Sequence, residues 1–351
     1  MVHLSEVLSI RTQVAHGLYL ALTRRCPLSC AHCSTNSMLS SEEHSGEMFL
    51  RFVDTFSVDT RPDALFLTGG EPLLRPQLVI GLAERAHAVG SHVHLISGMY
   101  FARRPKVPAP IRRAIDALDH LIASLDVFHE QQVARADVFR VLREVVDQGK
   151  SVSFQVTGLN EEDPYLAEVT EDIRRTFDDR VPVMVRTVDP VGRAKSWLKT
   201  AKEPGRAAIV PMPCTGASWP VVAFDGTVVA CCNQGVVDGP VPPHLRLGHI
   251  AVDDWPTVRA RALESPTMRA IRTFGPEYMV DRFGSGKIGC DGYCSTCFRL
   301  GDDPALAPRM EELARRPVMR LLEEQMATVR RRELEEQFFA HPYIPLMRLG
   351  V

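Results

Sequence analysis

The sequence predicts an α/β protein built around a parallel sheet and followed by a smaller, cysteine-rich part. Short apolar segments with the character of buried strands recur between residues 17 and 188, and stretches with helical spacing separate them. Strands that alternate with helices in this way pair in parallel, with helices covering the sheet. The chain has 351 residues, of which 45% are apolar, so it can bury one large core and a second, smaller one.

Six strand candidates carry this prediction. Each is short and mostly apolar, and the first two end at loops rich in cysteine or glycine. Helical spacing is clearest in two of the intervening stretches, 76–90 and 130–149. The strand candidates are 17–24, 64–68, 91–97, 119–126, 151–158 and 181–188.

Beyond the sixth strand the strand–helix rhythm stops. Residues 189–213 are rich in proline, glycine and lysine, which is typical of a linker, and they begin with the turn sequence PVGRA. We therefore expect a core domain over 1–195 and a linker over 196–213.

The last third of the chain predicts two further parts. Asp225 and Gly226 stand between two apolar runs and predict the turn of a β-hairpin, within a cysteine-rich domain over 214–303. Residues 304–351 show helical spacing that Pro317 interrupts, which predicts a C-terminal helical segment in two pieces.

Charge and hydropathy exclude several classes of function. The formal net charge is −2, and the basic residues are dispersed, so nucleic acid is not expected as a partner. No apolar run approaches the roughly 18 residues of a membrane span, and the N-terminus lacks the apolar stretch of a signal peptide. We expect a cytoplasmic protein that does not bind membranes.

The cysteines cluster in a pattern that indicates metal rather than disulfides. Nine cysteines fall into three groups in a chain expected to be reduced: 26/30/33, 214/231/232 and 290/294/297. Thiolate clusters suit zinc or iron–sulfur centres. The first group follows a strand with the spacing C-x3-C-x2-C and offers three ligands, whereas a closed zinc site needs four. Three thiolates on a [4Fe–4S] cluster would leave one iron open to another ligand.

The second strand ends in the run Gly69-Gly70-Glu71-Pro72. Two glycines allow a ligand to approach the backbone closely, and Glu71 offers a carboxylate to an amine. Alone, such a run is a common turn. Its place about 40 residues after the three cysteines makes a binding role the better interpretation.

Together, the cysteine motif and the GGEP run resemble the radical S-adenosylmethionine (SAM) superfamily. The resemblance implies that Cys26, Cys30 and Cys33 bind the catalytic [4Fe–4S] cluster and that GGEP lines the methionyl amine of SAM. It also implies that the sheet is a partial (β/α)6 barrel with its site at the C-terminal strand ends. One departure is His32, because an aromatic residue often precedes the third cysteine in this family.

Three further residues match family positions. Ser124 and Asp126 lie where the family's S-x-D pair contacts the ribose or the substrate, and Arg135 lies where related enzymes place an arginine near the cofactor carboxylate. A strand-end cap or a solvated helix face is the alternative interpretation for them. His129 and Glu130 are expected to be ordinary surface residues, and no histidine has a partner at metal-ligand spacing.

The later cysteines resemble the SPASM and Twitch auxiliary-cluster domains that follow radical SAM cores. The spacing C-x11-G-x4-C is similar to their signature, but the full SPASM pattern needs more cysteines than the six present here. The resemblance implies one auxiliary [4Fe–4S] cluster, for which Cys232 and Cys290 are substitute ligands. Two clusters with open coordination sites, or a zinc site, are the alternatives. The expected ligands are Cys214, Cys231, Cys294 and Cys297.

The resemblance implies reductive cleavage of SAM to a 5′-deoxyadenosyl radical, which abstracts a hydrogen atom from a natural-product precursor. An auxiliary cluster favours net oxidation, either dehydrogenation or the formation of a ring or crosslink. A ribosomal peptide is slightly favoured over a sugar or aminocyclitol, and a flavodoxin or ferredoxin is the expected reductant. One alternative is an epimerase in which Cys232 or Cys290 donates a hydrogen atom. A non-catalytic iron–sulfur or zinc protein is another, but it would have no use for GGEP.

Overall fold

The computed structural model describes residues 3–199 and 209–351, and its first six strands form one parallel sheet. Strands that are neighbours in the sequence are neighbours in the sheet, so the order runs from β1 to β6 without a break. The predicted α/β class is therefore confirmed, and each strand candidate contains one of these strands. They are β1 (Gly17–Ala21), β2 (Ala64–Thr68), β3 (His92–Ser97), β4 (His120–Leu125), β5 (Ser151–Gly158) and β6 (Val183–Thr187).

Helices precede β1 and connect the strands, and their apolar faces cover the sheet. The third of them starts with Pro76 in its first turn, where a missing N–H costs nothing, and buries Val79, Leu82 and Ala86. The helices are α1 (Leu4–Ile10), α2 (Glu47–Val53), α3 (Pro76–Ala88), α4 (Ala109–Asp116), α5 (Val127–Glu130), α6 (Arg135–Asp147) and α7 (Pro164–Phe177).

The predicted hairpin forms and extends the same sheet. Strand β7 (Val221–Val222) pairs in parallel with β1, and β8 (Thr227–Val229) and β9 (Arg246–His249) follow in antiparallel order. The turn before β8 contains Gly226 at φ +95°, a conformation that favours glycine. The cysteine-rich part is thus joined to the core by continuous backbone pairing along one edge.

Helices dominate the rest of the chain. Pro317 begins the last helix, and the predicted helical C-terminal region is confirmed. In the described ranges, no helix combines the length and apolar character needed to cross a membrane. Residues 200–208 of the predicted linker lie outside the described residues, and the domain boundaries stay predictions. These helices are α8 (Gln234–Val237), α9 (Trp255–Glu264), α10 (Pro266–Phe274), α11 (Pro276–Phe283), α12 (Tyr293–Arg299), α13 (Leu306–Ala314) and α14 (Pro317–Phe338).

Alternate residues along each strand face the outer and the inner side of the sheet. Leu18 and Leu20 on β1 are fully buried in the main core, whereas Tyr19 between them packs against a second apolar cluster. That second cluster contains residues of α1, β2, β4 and β6. We call the space beside these residues, on the inner face of the sheet, the barrel interior.

Candidate active site

The three N-terminal cysteines meet at the C-terminal edge of the parallel sheet. Cys26, Cys30 and Cys33 line one cavity of about 250 Å³, which we call the edge cavity. Each sulfur atom has a hydrogen-bonding contact at 3.4–3.5 Å: Cys26 with the Leu28 N–H, Cys30 with the Gln132 amide and Cys33 with the Thr35 hydroxyl. Three soft thiols facing one cavity match the donor set that a three-cysteine iron–sulfur cluster requires.

Backbone hydrogen bonds join the GGEP run to the residues just before the cysteine loop. Gly70 N donates to Thr23 O at 2.6 Å, and Glu71 N donates to Arg25 O at 2.9 Å. Gly69 has φ +138°, and a Cβ atom there would lie 2.4 Å from Thr23 O. A Cβ at Gly70 would lie 2.4 Å from Arg25 O. Both glycines line the edge cavity, so the chain uses them for close backbone packing beside a ligand site.

The Glu71 side chain points away from the edge cavity and into the protein. It is fully buried, and its carboxylate accepts from Leu73 N at 3.0 Å, from Gly98 N at 3.0 Å and from the Ser97 hydroxyl at 2.9 Å. Burial raises the pKa of Glu71 to about 7, although these hydrogen bonds oppose the shift. Protein donors already occupy both oxygens, so the position of Glu71 does not support the expectation that it offers its carboxylate to an amine, which stays a prediction. Pro72 begins the short turn that Glu71 caps.

A turn after β6 forms hydrogen bonds to the cysteine loop, and the sequence did not predict this contact. The Arg193 guanidinium donates to Cys30 O at 2.8 Å and to Ser37 O at 2.7 Å, and Arg193 N donates to Cys33 O at 3.0 Å. Gly192 has φ +54°, and a Cβ there would lie 2.2 Å from Cys33 O. The PVGRA turn was visible in the sequence, but nothing in the sequence indicated what it contacts.

The ends of the later strands supply polar side chains to the edge cavity. Ser124 lies there as predicted, together with Gln155, Thr157 and Arg186 from β5 and β6. Hydroxyl and amide groups of this kind suit the ribose and base of a nucleoside. Only Ser124 was predicted, because a single polar residue within a strand carries no distinctive spacing.

The Asp126 carboxylate interacts with two histidines. Its Oδ2 lies 2.6 Å from His129 Nδ1 and 3.1 Å from His32 Nε2, and its Oδ1 accepts from the backbone N–H groups of Phe128 and His129. Burial works to raise the pKa of Asp126, but the charge and hydrogen bond of His129 outweigh it and hold that pKa below its usual range.

His129, which was expected to be an ordinary surface residue, is a close partner of Asp126. Burial works to lower the pKa of His129, but the Asp126 carboxylate overcomes this effect and raises it well above its usual value. His32, Asp126 and His129 form a group close enough to hold a metal ion. The expectations of a surface role for His129 and of no clustered histidines were therefore wrong. Asp126 is 1% exposed and does not line the edge cavity, so a direct cofactor contact stays a prediction without geometric support.

Arg135 also has other partners. Its guanidinium binds the carboxylates of Glu130 at 2.7 Å, Glu168 at 2.9 Å and Asp172 at 3.1 Å, and it stacks over Tyr165. It is not among the residues that line the edge cavity. Four neighbours satisfy this side chain without any cofactor, so its predicted role is not supported by its position.

The C-terminal cysteines that were predicted as auxiliary ligands interact with one another. Burial raises the pKa of Cys231 well above its usual value, and the charges of Cys232, Cys214 and Cys297 add to the shift. Burial likewise raises the pKa of Cys297, with further contributions from Cys214 and Cys294. The four predicted ligands are thus linked as one electrostatic group. Cys290 is exposed. Partial burial raises the pKa of its thiol, and the charges of Glu277, Asp281 and Asp291, rather than those of other cysteines, add to the shift.

Two buried arginines face this cysteine group. Arg272 and Arg330 are 6% and 5% exposed, and burial and mutual repulsion lower the pKa of Arg272. Arg272 donates to Ala217 O at 3.4 Å and Arg330 to Ser218 Oγ at 3.5 Å, and both guanidinium groups interact with Cys214. Within the described ranges, Arg330 Nε is buried without a hydrogen-bond partner. The Glu323 carboxylate is a favourable charge for both arginines. A thiolate-bound cluster is anionic and would supply further countercharge, so these residues fit such a group.

Cys232 interacts with Cys214 and Cys231 and also has a second environment. It lines a second cavity, of about 110 Å³, in the barrel interior, and Arg11 Nη2 lies 3.6 Å from its sulfur. This interior cavity shares Ile96, Gln155 and Arg186 with the edge cavity, so the two adjoin. Of the two surplus cysteines, only Cys232 lies where it can reach a molecule held between them.

Comparisons with known proteins agree with this geometry. Residues 20–173 match the family described as Radical SAM superfamily. The GTP 3′,8-cyclase of Streptomyces coelicolor is 29% identical over 134 residues, which span 37% of this chain and 37% of that protein.

Solved structures of SuiB have a fold similar to that of this chain. Streptococcus suis SuiB bound to S-adenosylmethionine aligns with a TM-score of 0.53 and 11% identity, over 76% of this chain and 69% of SuiB. SuiB bound to the precursor peptide SuiA gives a TM-score of 0.57 at 11% identity, over 84% of this chain and 74% of SuiB. At this identity the similarity concerns the fold alone.

Proposed function

Residues 20–173 form a radical SAM domain, and from this premise we propose that the chain oxidises a C–H bond of a natural-product precursor held in the barrel interior. When bound, SAM and a [4Fe–4S] cluster supply a 5′-deoxyadenosyl radical that abstracts a hydrogen atom. Part of the proposed substrate lies in the interior cavity, which adjoins the edge cavity at Ile96, Gln155 and Arg186. The apolar walls of that cavity exclude water, which protects a reactive radical from quenching.

Each part of the edge cavity has a proposed task. Cys26, Cys30 and Cys33 would hold the SAM cluster and leave one iron for the cofactor. The backbone at Gly69 and Gly70 would line the methionyl part of SAM, and the polar strand ends would bind its nucleoside. Arg193 acts on none of these groups directly; it keeps the cysteine loop in the conformation that directs the three thiols into one cavity.

Net oxidation requires a second acceptor, since the substrate must lose one electron and one proton after it loses a hydrogen atom. An auxiliary cluster would supply a one-electron acceptor, and the proposed ligands are Cys214, Cys231, Cys294 and Cys297. The observation that carries this proposal is the pair of buried arginines, Arg272 and Arg330, beside Cys214. The Glu323 carboxylate acts on both guanidinium groups but already pairs with Arg269 at 2.7 Å, so an anionic cluster would add countercharge where buried cations are costly.

Epimerisation is a second candidate, because Cys232 lines the interior cavity. In that reaction the Cys232 thiol would return a hydrogen atom to the substrate radical, and a one-electron donor with one proton would restore the thiol. Cys290 is no longer an equal candidate, because it is exposed and lines neither the edge cavity nor the interior cavity.

The substrate we propose is a ribosomal peptide, ahead of a sugar or aminocyclitol. A fold like that of SuiB, which was solved with a precursor peptide, supports this preference. We further propose a cytoplasmic location and a flavodoxin or ferredoxin as the reductant. A non-catalytic iron–sulfur or zinc protein would not need the GGEP run to line a cavity beside the cysteines.

The first experiment tests SAM chemistry and cluster number. Anaerobically reconstituted protein should contain about eight iron atoms per chain and should cleave SAM when dithionite is added. Replacing Cys26, Cys30 and Cys33 with alanine should remove about half of the iron and all cleavage. About four iron atoms in the unaltered protein would contradict the auxiliary cluster, and no SAM cleavage would contradict the proposed function.

The second experiment separates the two reactions in deuterated water. Oxidation predicts a product lighter by two hydrogen atoms, no deuterium at the reacting carbon and an unchanged product from Cys232→Ala. Cys214→Ala should then cleave SAM without forming product. Epimerisation predicts a mass-neutral product that carries one deuterium, because thiol hydrogens exchange with solvent, and loss of that product in Cys232→Ala with iron content unchanged.

A further inference from the structure

The interior cavity contains a buried cation with an unused donor. Arg11 is the residue that ends α1, it is 8% exposed, and it lines this cavity. Its guanidinium stacks over the Trp219 ring at 4.7 Å and lies 6.0 Å from the centre of the Tyr19 ring. Among the described residues, Arg11 Nη1 is buried without a hydrogen-bond partner. A buried guanidinium N–H that lacks an acceptor is costly, so this position calls for an acceptor.

The charges around the cavity specify what kind of acceptor is missing. The described residues that line it include no aspartate or glutamate, whereas a second arginine, Arg186, lines it as well. Arg186 pairs with the Asp189 carboxylate, at 3.5 Å, which lines the edge cavity. The Arg11 guanidinium, in a largely apolar space, creates a positive potential that attracts an anion.

The planar shape of a guanidinium group favours one class of anion. Arginine binds carboxylates through two parallel hydrogen bonds, and such charge-assisted contacts are stronger than neutral ones. The cavity of about 110 Å³ is a few water volumes in size, enough for a carboxylate and a short part of the molecule that carries it.

We infer that the substrate carries a carboxylate that binds Arg11 in the interior cavity. This inference rests on the proposed function, because it assigns the interior cavity to the substrate. It also places the substrate beside Cys232, since Arg11 Nη2 lies 3.6 Å from the Cys232 sulfur. The apolar walls at Phe66 and Ile122 would then contact the part of the substrate next to its carboxylate.

Small fluorinated probes test this inference without knowledge of the substrate. In a fluorine NMR titration of the reconstituted protein, trifluoroacetate should bind saturably, and the neutral isostere trifluoroacetamide should bind at least about ten-fold more weakly. Equal binding of the two probes, or no saturable binding of trifluoroacetate, would overturn the inference.

Variants and a labelling experiment locate the probe. Arg11→Gln should weaken trifluoroacetate binding about ten-fold or more, whereas Arg112→Gln, which alters a surface arginine paired with Glu144, should leave it unchanged. Bound trifluoroacetate should also slow modification of Cys232 by methyl methanethiosulfonate, with the exposed Cys290 as the internal control. Equal affinity in Arg11→Gln, or no protection of Cys232, would refute the assignment. If Arg11→Gln does not fold, the two probes and the Cys232 protection still decide.

SAM cleavage in the same preparations keeps the two proposals apart. Selective trifluoroacetate binding without SAM cleavage would contradict the proposed function and leave the carboxylate site standing. SAM cleavage without selective trifluoroacetate binding would contradict the carboxylate site alone.

Discussion

Replacing Glu71 by glutamine should change how the stability of the protein depends on pH. The Glu71 carboxyl group is fully buried, and burial raises its pKa from 4.5 to about 7. A carboxyl group whose pKa is raised by folding stabilises the folded state below its unfolded pKa, and that contribution is lost as the pH rises through the folded pKa. The unaltered protein should therefore lose stability between about pH 4.5 and about pH 7, whereas the glutamine variant lacks this component.

The size of the effect follows from the two pKa values. Their separation corresponds to about 3 kcal/mol, of which about 2 kcal/mol falls between about pH 5.5 and about pH 7.5, where clusters are easier to keep intact. Glutamine has one acceptor oxygen, so it cannot satisfy Leu73 N, Gly98 N and the Ser97 hydroxyl together. This loss costs about 1–3 kcal/mol at every pH.

The assay compares melting temperatures of matched anaerobic preparations across this pH range. The deficit of Glu71→Gln relative to the unaltered protein should shrink by roughly 4 °C as the pH rises, since 1 kcal/mol shifts the melting temperature of a protein of this size by about 2 °C. Glu144→Gln is the control, because Glu144 is an exposed partner of Arg112 and should show no such trend. Parallel curves for Glu71→Gln and the unaltered protein would show that Glu71 stays ionised and that the reasoning is wrong.

Three other substitutions test contacts around the cysteines. Arg193→Met should speed the loss of iron to a chelator, because Cys30 O and Ser37 O lose their donor; iron release equal to that of the surface control Arg112→Met would contradict this. Arg330→Met should raise the melting temperature of metal-free protein, because the buried charge is costly without the cluster, and should lower the iron retained by reconstituted protein, because the charge stabilises a bound cluster. A lower melting temperature of the metal-free protein, or unchanged iron retention, would contradict this. Asp126→Asn should lower the melting temperature by an amount equivalent to about 3–5 kcal/mol, because it leaves the charge of His129 buried and uncompensated; a loss under 1 kcal/mol would show that the pair is not ionised.

The sequence by itself determined the fold class and the place of the site. Strand and helix periodicities depend on neighbouring residues, so the six strands could be read from local pattern, as could the hairpin turn at Asp225-Gly226. The resemblance to the radical SAM superfamily implied a site at the C-terminal strand ends, and the cysteine loop and the GGEP glycines do line one cavity there. The glycines of that run were predicted to let a ligand approach, which stays a prediction; the structure shows that Gly69, at φ +138°, lets the backbone of Thr23 approach.

Only the tertiary structure decided where individual side chains point. Glu71 follows two cavity-lining glycines, but β3 supplies donors on its other side, and the carboxylate turns inward to meet them. Cys231 and Cys232 are adjacent in the chain, yet of the two only Cys232 lines the interior cavity. Arg11 reaches that interior because β7 brings Trp219 beside β1, more than 200 residues along the chain from α1. Contacts of this length depend on how whole elements pack, and no local pattern in the sequence records them.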